Sequence, residues 1–399
     1  MKVEKTGYYS WKLGKLSKGC RLCVKGQKSV LFITGLCPKH CSYCPISEKK
    51  AGKDVVYINE WPSSAINDVI EEIKLCSSKG VGITGGDPLV KVDRTVEFIK
   101  RLKKEFGGKF HVHLYTPMNL VSSVVLGKLF SAGLDEIRFH PDLDKVGEWK
   151  KVLLGKKFKW DIGVEIPAVP GKLKLVKKLI DFLDGNVDFL NINELEYSDT
   201  NAYYMGKEGF KTKNEISYGI KGSEEMGLSL LEYCKGKKVS FDVHYCSATL
   251  KDKVQLAKRI KNRAMNVRKD YDFVDEEGIL VRGAIYFEEL RPGFSYRQKL
   301  EKITDNKKMK MDYIKKLNKI MIGLIRDFKI KKSMIEVDVE KLRILTSVEE
   351  VVRMKEGVDR NLLENVGKDK GLLCDKDLFL AVVEEYPTFD QLELSVEFL

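Results

Sequence analysis

Seven apolar, strand-like segments alternate with helix-like segments over residues 30–246. In chain order they read SVLFIT, VGIT, KFHVHLYTP, DEIRFHP, KWDIGVEIPAVPG, VDFLNINELEYS and VSFDVHYC. Most are separated by helical patterns of roughly ten or more residues, a length that favours parallel strands joined by right-handed crossovers. The sequence therefore predicts a parallel α/β barrel, open or closed, with function at the C-terminal ends of the strands.

The chain divides into four predicted regions. Residues 1–29 form an irregular extension that contains CRLC, and residues 30–248 form the barrel core. A basic linker helix follows over 249–270. Residues 271–399 read as a smaller α+β domain of unknown role.

Composition is typical of a globular protein, with 43% hydrophobic and 32% charged residues in 399. We expect a cytoplasmic protein, because the N-terminus lacks the apolar core of a secretory signal and no apolar run is long enough to span a membrane. Nine cysteines in such a chain indicate metal or redox chemistry rather than a disulfide framework.

Positive charge is concentrated in the first two thirds of the chain. The formal charge is +13, and because residues 271–399 carry −3, residues 1–270 carry +16. Such a field attracts phosphate-bearing partners. The alternative is a thermophile-like surface rich in Lys and Glu.

The segment CPKHCSYC places Cys37, Cys41 and Cys44 directly after the first predicted strand, with no fourth thiol in the loop. A [4Fe–4S] cube held for electron transfer takes four thiolates, so three leave one iron without a protein ligand. A structural zinc site needs another donor. His40 and Cys76 are present, but neither has finger-like spacing.

CPKHCSYC after a first strand resembles the signature of the radical S-adenosylmethionine (SAM) superfamily. The resemblance implies a partial parallel (β/α)6 barrel, here with the smaller C-terminal α+β domain. It also implies a [4Fe–4S] cluster whose open iron chelates the amino and carboxylate groups of SAM. One electron then cleaves SAM to a 5′-deoxyadenosyl radical, which abstracts a hydrogen atom from a substrate.

The segment GGDP resembles the family's glycine-rich motif that contacts the SAM amino group, which implies cofactor binding by Gly85, Gly86 and Asp87. Asp87 stands where the family often has Glu. Glycine leaves room for close backbone approach to a ligand. Taken alone, the segment is equally consistent with a turn.

Two further segments resemble adenine-contacting parts of the family. Tyr43 matches the aromatic position whose backbone contacts adenine, and Gly163–Gly171, which includes Glu165, resembles the fifth-strand segment that packs against it. The wording of that segment is similar to archaeal proteins related to pyruvate formate-lyase activating enzymes. The resemblance covers roughly residues 30–246 and leaves residues 271–399 unassigned.

Polar residues near the ends of the predicted strands are candidates for holding the ribose or carboxylate of SAM. Among them we favour His140 and Asn193, although a structurally satisfied polar residue is the alternative for each. No catalytic residue is assigned. The other strand polars are His111, His113, Arg138, Asn191, Glu194 and Glu196.

A second metal site is predicted from Cys20 and Cys23, which form a C-x2-C, together with His244 and Cys246 at the end of the last barrel strand. Zinc and an auxiliary iron–sulfur cluster are both chemically reasonable. The alternative is a set of buried thiols without a metal.

The basic segment over residues 251–269 favours an RNA backbone as partner, although such a run is also typical of a solvated helix face. No known RNA-binding signature accompanies it.

The leading hypothesis is a radical SAM enzyme that receives its electron from a donor such as ferredoxin or flavodoxin. RNA modification is the first substrate hypothesis. Activation of a glycyl-radical enzyme and small-molecule radical chemistry are the alternatives. The non-enzyme alternative is a structural iron–sulfur or zinc protein that binds nucleic acid.

Overall fold

The structure, a computed structural model, describes residues 1–63, 65–215, 217–356 and 378–399. It divides into two compact units, Met1–Arg259 and Ile260–Leu399. The residues predicted as an irregular extension belong to the first unit. The boundary between the units lies inside the segment predicted as a linker helix.

Eleven strands build the sheet of the first unit. They are β1 (Val3–Lys5), β2 (Trp11–Leu13), β3 (Lys28–Phe32), β4 (Val56–Ile58), β5 (Trp61–Ser63), β6 (Gly80–Thr84), β7 (His111–Pro117), β8 (Glu136–His140), β9 (Asp161–Ala168), β10 (Phe189–Glu194) and β11 (Asp242–Cys246). The helices are α1 (Lys18–Cys23), α2 (Ile66–Leu75), α3 (Val92–Phe106), α4 (Ser123–Ala132), α5 (Leu173–Leu183), α6 (Ala202–Lys207), α7 (Ser223–Lys237), α8 (Ala248–Leu250) and α9 (Ala257–Val267), which contains the unit boundary.

The strand order is β1-β2-β11-β10-β9-β8-β7-β6-β3-β4-β5. Strands β3 and β6 to β11 run parallel, and they correspond to the predicted strand segments. Antiparallel hairpins extend both edges, β1–β2 on β11 and β4–β5 on β3. The predicted fold class, a partial parallel barrel with a smaller α+β domain, is confirmed.

Alternation along the strands separates an apolar outer face from a polar interior. In β8, Ile137 and Phe139 are fully buried in the main apolar core, whereas Glu136, Arg138 and His140 face the other way. A strand residue that points inward is followed by one that points outward. The barrel interior is therefore filled with polar and charged groups, which must find partners among themselves.

Amphipathic helices cover the outer face. Helix α5 buries Val176, Leu179, Ile180 and Leu183 at the three- and four-residue spacing of one helical face. The connection from β8 to β9 contains 3-10 turns over residues Val146–Lys157 instead of an α-helix.

The N-terminal segment does more than extend the chain. Strand β2 pairs with β11, and α1 closes the interior near the N-terminal ends of the strands, where the Gly19 N–H donates to Glu136 Oε2 at 3.1 Å. A Cβ at Gly19 would lie 2.5–2.6 Å from the polar atoms of Arg138, Lys28 and His113. Only glycine fits at this position without displacing buried charged groups.

The second unit is an antiparallel sheet with helices. Its strands are β12 (Phe273–Val274), β13 (Leu280–Phe287), β14 (Ile335–Asp338), β15 (Arg343–Thr346), β16 (Leu378–Glu385) and β17 (Glu393–Phe398), in the order β14-β15-β13-β16-β17 with β12 on β13. Its helices are α10 (Tyr296–Thr304), α11 (Lys307–Phe328) and α12 (Val348–Glu356). Arg343 is fully buried at its centre and donates to Asp338, Tyr286 and Glu385.

Among the helices of the described ranges, none combines the length and apolarity needed to span a lipid bilayer.

The contacts of Gly19 give a stability prediction. We expect Gly19→Ala to lower the free energy of unfolding by about 1–3 kcal/mol, because the added methyl group displaces buried charged groups. Gly236→Ala is the control, since a Cβ at that helical position meets no atom within 4 Å. Denaturant unfolding followed by tryptophan fluorescence measures both variants. Equal stability of the two would contradict the close packing of α1 against the interior.

Candidate functional site

A cavity of about 390 Å³ opens at the C-terminal ends of the parallel strands. Its walls combine thiols, glycine backbone, aromatic rings and charged groups. The residues that bear on the site are Cys37, Lys39, Cys41, Tyr43, Cys44, Gly85, Gly86, Tyr115, Arg138, His140, Glu165, Asn193, Glu194, Glu196 and Lys251. This is the edge of the sheet at which the sequence predicts function.

Cys37, Cys41 and Cys44 lie together in the loop between β3 and β4, each partly exposed and each lining the cavity. The Cys44 N–H donates to the Cys41 carbonyl at 3.1 Å, which folds the loop back on itself. Burial raises the pKa of Cys37 and of Cys44. All three cysteines are free thiols directed at one space, a donor set suited to a thiophilic metal centre.

The cysteine loop is held from the side by the segment that follows β10. Asn201 Nδ2 donates to the Tyr43 carbonyl at 3.2 Å, and Thr200 Oγ1 donates to the Cys44 carbonyl at 3.4 Å. Because these bonds go to the loop backbone, they orient the thiols without occupying them.

The glycines of GGDP allow two loops to pack directly against each other. A Cβ at Gly85 would lie 2.6 Å from the Thr34 carbonyl oxygen, and one at Gly86 would lie 2.5 Å from that of Leu36. The Gly86 N–H donates to the Thr34 carbonyl at 2.8 Å. Backbone approach therefore requires both glycines, and both line the cavity.

The Asp87 side chain is bonded within the fold. Its side chain is buried, and Oδ1 accepts from the Leu89 N–H at 3.0 Å and from Thr116 Oγ1 at 2.9 Å. Oδ2 is buried without a hydrogen-bond partner. Burial raises the pKa of Asp87 to about 6, against the opposing effect of these two bonds. A role of Asp87 in seating SAM stays a prediction.

His140 and Tyr43 are joined across the cavity wall. His140 Nδ1 lies 2.8 Å from the Glu165 carbonyl oxygen, which can only accept, so Nδ1 carries the proton. Burial lowers the pKa of His140, and in its neutral form Nε2 accepts from the Tyr43 hydroxyl at 2.9 Å. Both ring nitrogens of His140 are thus used to position Tyr43 and the cysteine loop.

Glu165 and Asn193 belong to a network on the floor of the cavity. Glu165 Oε1 accepts from Asn193 at 2.8 Å, and Oε2 accepts from Arg138 at 2.8 Å and from Asn191 at 2.9 Å. Burial opposes ionisation of Glu165, but these partners outweigh it and lower its pKa. The carboxylate is held in one orientation by three donors from neighbouring strands.

The residues of the predicted second metal site lie on two elements, Cys20 and Cys23 on α1 and His244 and Cys246 on β11. Cys20 Sγ accepts from Asn191 Nδ2 at 3.3 Å and from Arg138 at 3.6 Å. Burial opposes ionisation of Cys20, but Arg138 and His244 outweigh it and lower its pKa to about 6. Burial raises the pKa of Cys23 and, with a contribution from Cys20, that of Cys246. Within the described part of the chain, no three of these four donor atoms lie within 4.8 Å of one another.

Comparison with known proteins decides the family. Residues 31–148 match the model of the Radical SAM superfamily. The chain is 47% identical over 295 residues to a Methanocaldococcus jannaschii protein named "Putative glycyl-radical enzyme activating enzyme MJ0021", covering 72% of this chain and 77% of that protein. The chain belongs to the radical SAM superfamily.

Two solved structures that match the chain share little sequence with it. Streptococcus suis SuiB bound to S-adenosylmethionine is 11% identical, with a TM-score of 0.40 over 55% of this chain and 50% of that chain. Methylornithine synthase (PylB) is 15% identical, with a TM-score of 0.37 over 55% of this chain and 70% of that chain. This chain spans about half the length of SuiB.

As a radical SAM enzyme, the chain has a [4Fe–4S] cluster and SAM as its cofactors. The side chains present fit both groups. Three free thiols line the cavity that the glycines of GGDP also line, so cluster and nucleotide can share one space. A second metal centre is not established by this membership.

Four residues of the site were not selected from the sequence as ligands: Arg138, Thr200, Asn201 and Lys251. Arg138 was visible as a polar residue on a strand, but its role depends on partners far away in sequence. Thr200 and Asn201 lie in a segment that reads as irregular and carries no local motif. Lys251 belongs to the predicted basic segment, and the structure adds that it lines the cavity and pairs with Glu196.

The buried carboxyl of Asp87 gives a pH prediction. Because its pKa in the folded chain lies above its ordinary value, ionisation costs stability above about pH 6, and stability rises as pH falls through 6. We expect Asp87→Asn to remove this dependence and to be more stable than the wild type at about pH 8 by about 1–3 kcal/mol. Thermal unfolding across pH measures it, with the exposed Asp93→Asn as control. Identical pH profiles for all three proteins would refute the buried, ionising carboxyl.

Proposed function

We propose that this radical SAM enzyme generates a carbon radical on a protein segment, as an activating enzyme for a glycyl-radical protein. The observation that carries the proposal is the 47% identity to a relative whose printed name gives that activity. The alternative, small-molecule radical chemistry, uses the same cavity and differs only in the substrate, which is a small molecule instead of a protein segment.

The size of the cavity supports a substrate that is presented from outside. The cavity of about 390 Å³ and an adjoining one of about 420 Å³, which shares Cys37, Cys41 and Cys44 with it, are each at the lower end of the range for ligand pockets. With SAM on the floor, the substrate approaches at the mouth, beside Lys39, Glu196 and Lys251. A narrow extended segment of polypeptide satisfies this geometry.

The residues of the site have distinct tasks. Cys37, Cys41 and Cys44 would hold three irons, and the backbone at Gly85 and Gly86 would receive the amino acid end of SAM. When bound, the cluster would pass one electron from an external donor to SAM, and together they would supply the chemistry that removes one hydrogen atom from the substrate, with methionine and 5′-deoxyadenosine as products.

The remaining side chains orient the ligands and keep water out of the cavity. The bond from Tyr43 to His140 fixes the cysteine loop against β8, and the Arg138–Glu165–Asn193 contacts keep the floor rigid. Preorganised polar groups of this kind position a ligand without reorganising during the reaction.

An external protein supplies the electron in this proposal. The sequence holds no flavin or nicotinamide fingerprint, so a ferredoxin or flavodoxin is the expected class of donor.

RNA modification receives less support from the structure than a protein substrate. Most basic side chains of residues 251–269 that the prediction used have partners within the chain: Lys251 with Glu196, Lys258 with Val24, Lys261 with Glu276, Arg263 with Pro387 and Lys269 with Glu336. Cations that fold the chain are less available to a phosphate backbone. The charge of +16 over residues 1–270 still attracts phosphate-bearing partners, and the RNA hypothesis stays a prediction.

SAM cleavage tests the reaction class. After anaerobic reconstitution with iron and sulfide, we expect dithionite to drive release of 5′-deoxyadenosine, measured by chromatography. Cys41→Ala should fall to background, because the cluster loses one of three ligands. Cys234→Ala is the matched control, a thiol fully buried in the apolar core. Binding of iron without any SAM cleavage in the wild type would refute the reaction.

The substrate class is tested by trapping the radical. We expect incubation of the reduced enzyme and SAM with a candidate glycyl-radical protein to give an electron paramagnetic resonance signal from that protein, in proportion to 5′-deoxyadenosine. Salt-dependent co-purification of RNA whose nucleosides change when the gene is removed would instead favour RNA modification.

A further inference from the structure

The three thiols of the cysteine loop line two cavities. Cys37, Cys41 and Cys44 belong to the walls of the SAM cavity and also to those of the adjoining cavity of about 420 Å³. A cluster held by these thiols would therefore border both spaces. SAM and the substrate use the first cavity in the proposed function, so the second remains available to a partner that exchanges electrons with the cluster.

Positive charge is concentrated beside the second cavity. Lys39 and His40 line it, and none of the described residues that line it bears a carboxylate. Residues 37–53 contain four lysines and one glutamate, a formal charge of +3. Such a surface attracts an anionic protein and repels a cationic one.

Lys49 and Lys53 are the cations most open to a partner. They flank Gly52, which lines the second cavity, and both are exposed. Neither side chain has an ion pair or a hydrogen bond within the described ranges of the chain. Lys50, which lies between them, is used by the fold instead, because its amine lies over two aromatic rings and pairs with Glu60.

The turn that carries these two lysines is fixed against the start of the cysteine loop. The Gly35 N–H donates to the Lys53 carbonyl at 2.8 Å, and the Gly52 N–H donates to the Gly35 carbonyl at 3.0 Å. A Cβ at Gly35 would overlap the Lys50 carbonyl, so the two backbones touch. The turn therefore keeps its position relative to the thiols.

Exposed aromatic rings adjoin the same cavity on helix α6. Tyr203 and Tyr204 are 63% and 57% exposed, their rings lie 5.4 Å apart, and Tyr204 lines the second cavity. Aromatic side chains are enriched at the centres of protein interfaces. Thr200 and Asn201, directly before α6, bond the backbone of the cysteine loop. A partner seated on α6 therefore lies beside the thiols.

We propose that the second cavity and its rim, with Lys49, Lys53 and Tyr204, form the docking surface for an acidic ferredoxin that reduces the cluster. The inference rests on the external electron donor of the proposed function. Ferredoxins carry iron–sulfur clusters of low reduction potential. One electron leaves the ferredoxin, which is oxidised, and enters the cluster of this chain, which is reduced. No bond forms or breaks and no proton moves in that step.

Binding of a recombinant acidic two-cluster ferredoxin to the reconstituted enzyme tests the surface. We expect the double variant Lys49→Glu, Lys53→Glu to raise the Kd by roughly tenfold or more at low salt, because charges at a rim steer encounter. The difference should shrink at high salt, which screens exposed charges. Tyr204→Ala should raise the Kd at low and high salt alike, because burial of an aromatic ring does not depend on charge.

The matched control is the double variant Lys100→Glu, Lys104→Glu. Both lysines are exposed on α3, which leads to the N-terminal end of β7, at the edge of the sheet away from the cysteine loop. This variant changes the net charge by the same amount, and we expect it to leave the Kd close to that of the wild type.

Carbodiimide cross-linking locates the contact independently of affinity. With the wild-type enzyme, we expect mass spectrometry to find amide bonds between ferredoxin carboxylates and Lys49 or Lys53. The reductant gives a second distinction. Release of 5′-deoxyadenosine should slow in the Lys49→Glu, Lys53→Glu variant when ferredoxin is the electron donor, and should equal that of the wild type with dithionite, because the SAM cavity is unchanged.

Four results would overturn the docking surface. They are equal ferredoxin affinities of the two double variants, cross-links confined to other lysines, binding of a flavodoxin but not of ferredoxin, and an equal loss of activity with dithionite and with ferredoxin. Weaker binding of a candidate glycyl-radical protein, with ferredoxin binding intact, would assign the surface to the substrate instead. Failure of the wild type to cleave SAM with dithionite would refute the proposed function, whereas the ferredoxin Kd and the cross-links report on the surface alone.

Discussion

The interior of the barrel depends on the hydrogen bonds and ion pairs that the Arg138 guanidinium makes. Its donors reach Glu136 on the same strand, Tyr115 on β7, Glu165 on β9, and Ser17 and Cys20 beside or on α1. A buried guanidinium is stable only when its charge and its N–H groups are satisfied together. Three strands and the N-terminal helix must therefore all be in place before the floor of the cavity has its shape. This coupling explains why a segment outside the predicted core shares a compact unit with the barrel.

The sequence predicts those parts of the fold that have a local signal, such as a periodic pattern or a cluster of cysteines. Strands such as VGIT and helices such as α5 have their own periodicity, and three thiols within eight residues need no distant partner to be recognised. The role of Gly19 could not be predicted in this way. Its N–H bonds a carboxylate 117 residues away, and the atoms that exclude a Cβ come from β3, β7 and β8. Long-range contacts of this kind leave no periodic signal in a single sequence.

Within the site, the sequence likewise predicts where a residue lies better than it predicts what its side chain bonds to. The sequence favours His140 and Asn193 as ligand contacts, and both residues line the cavity. The structure adds that the polar atoms of His140 are taken up by Tyr43 and the Glu165 backbone, and that the Asn193 amide donates to the Glu165 carboxylate. Asp87, selected from a motif, has its side chain bonded to Leu89 and Thr116. A motif indicates where the backbone must approach a ligand, whereas the partner of each side chain depends on neighbouring strands.

Residues on the floor of the cavity are harder to replace than residues at its mouth. Arg138 and Glu165 on the floor each bond several strands, so replacing either leaves buried groups unpaired, at a cost of several kcal/mol. At the mouth, Lys39 pairs with Asp142 and Lys251 pairs with Glu196, and the carboxylates of both pairs are partly exposed. Ion pairs that reach solvent contribute less to stability than fully buried ones, because water screens their charges. Lys251 begins the π-helical segment Lys251–Leu256, an irregularity common at functional sites. The floor is therefore the more constrained part of the cavity, and the mouth is the part that can change at a lower cost in stability.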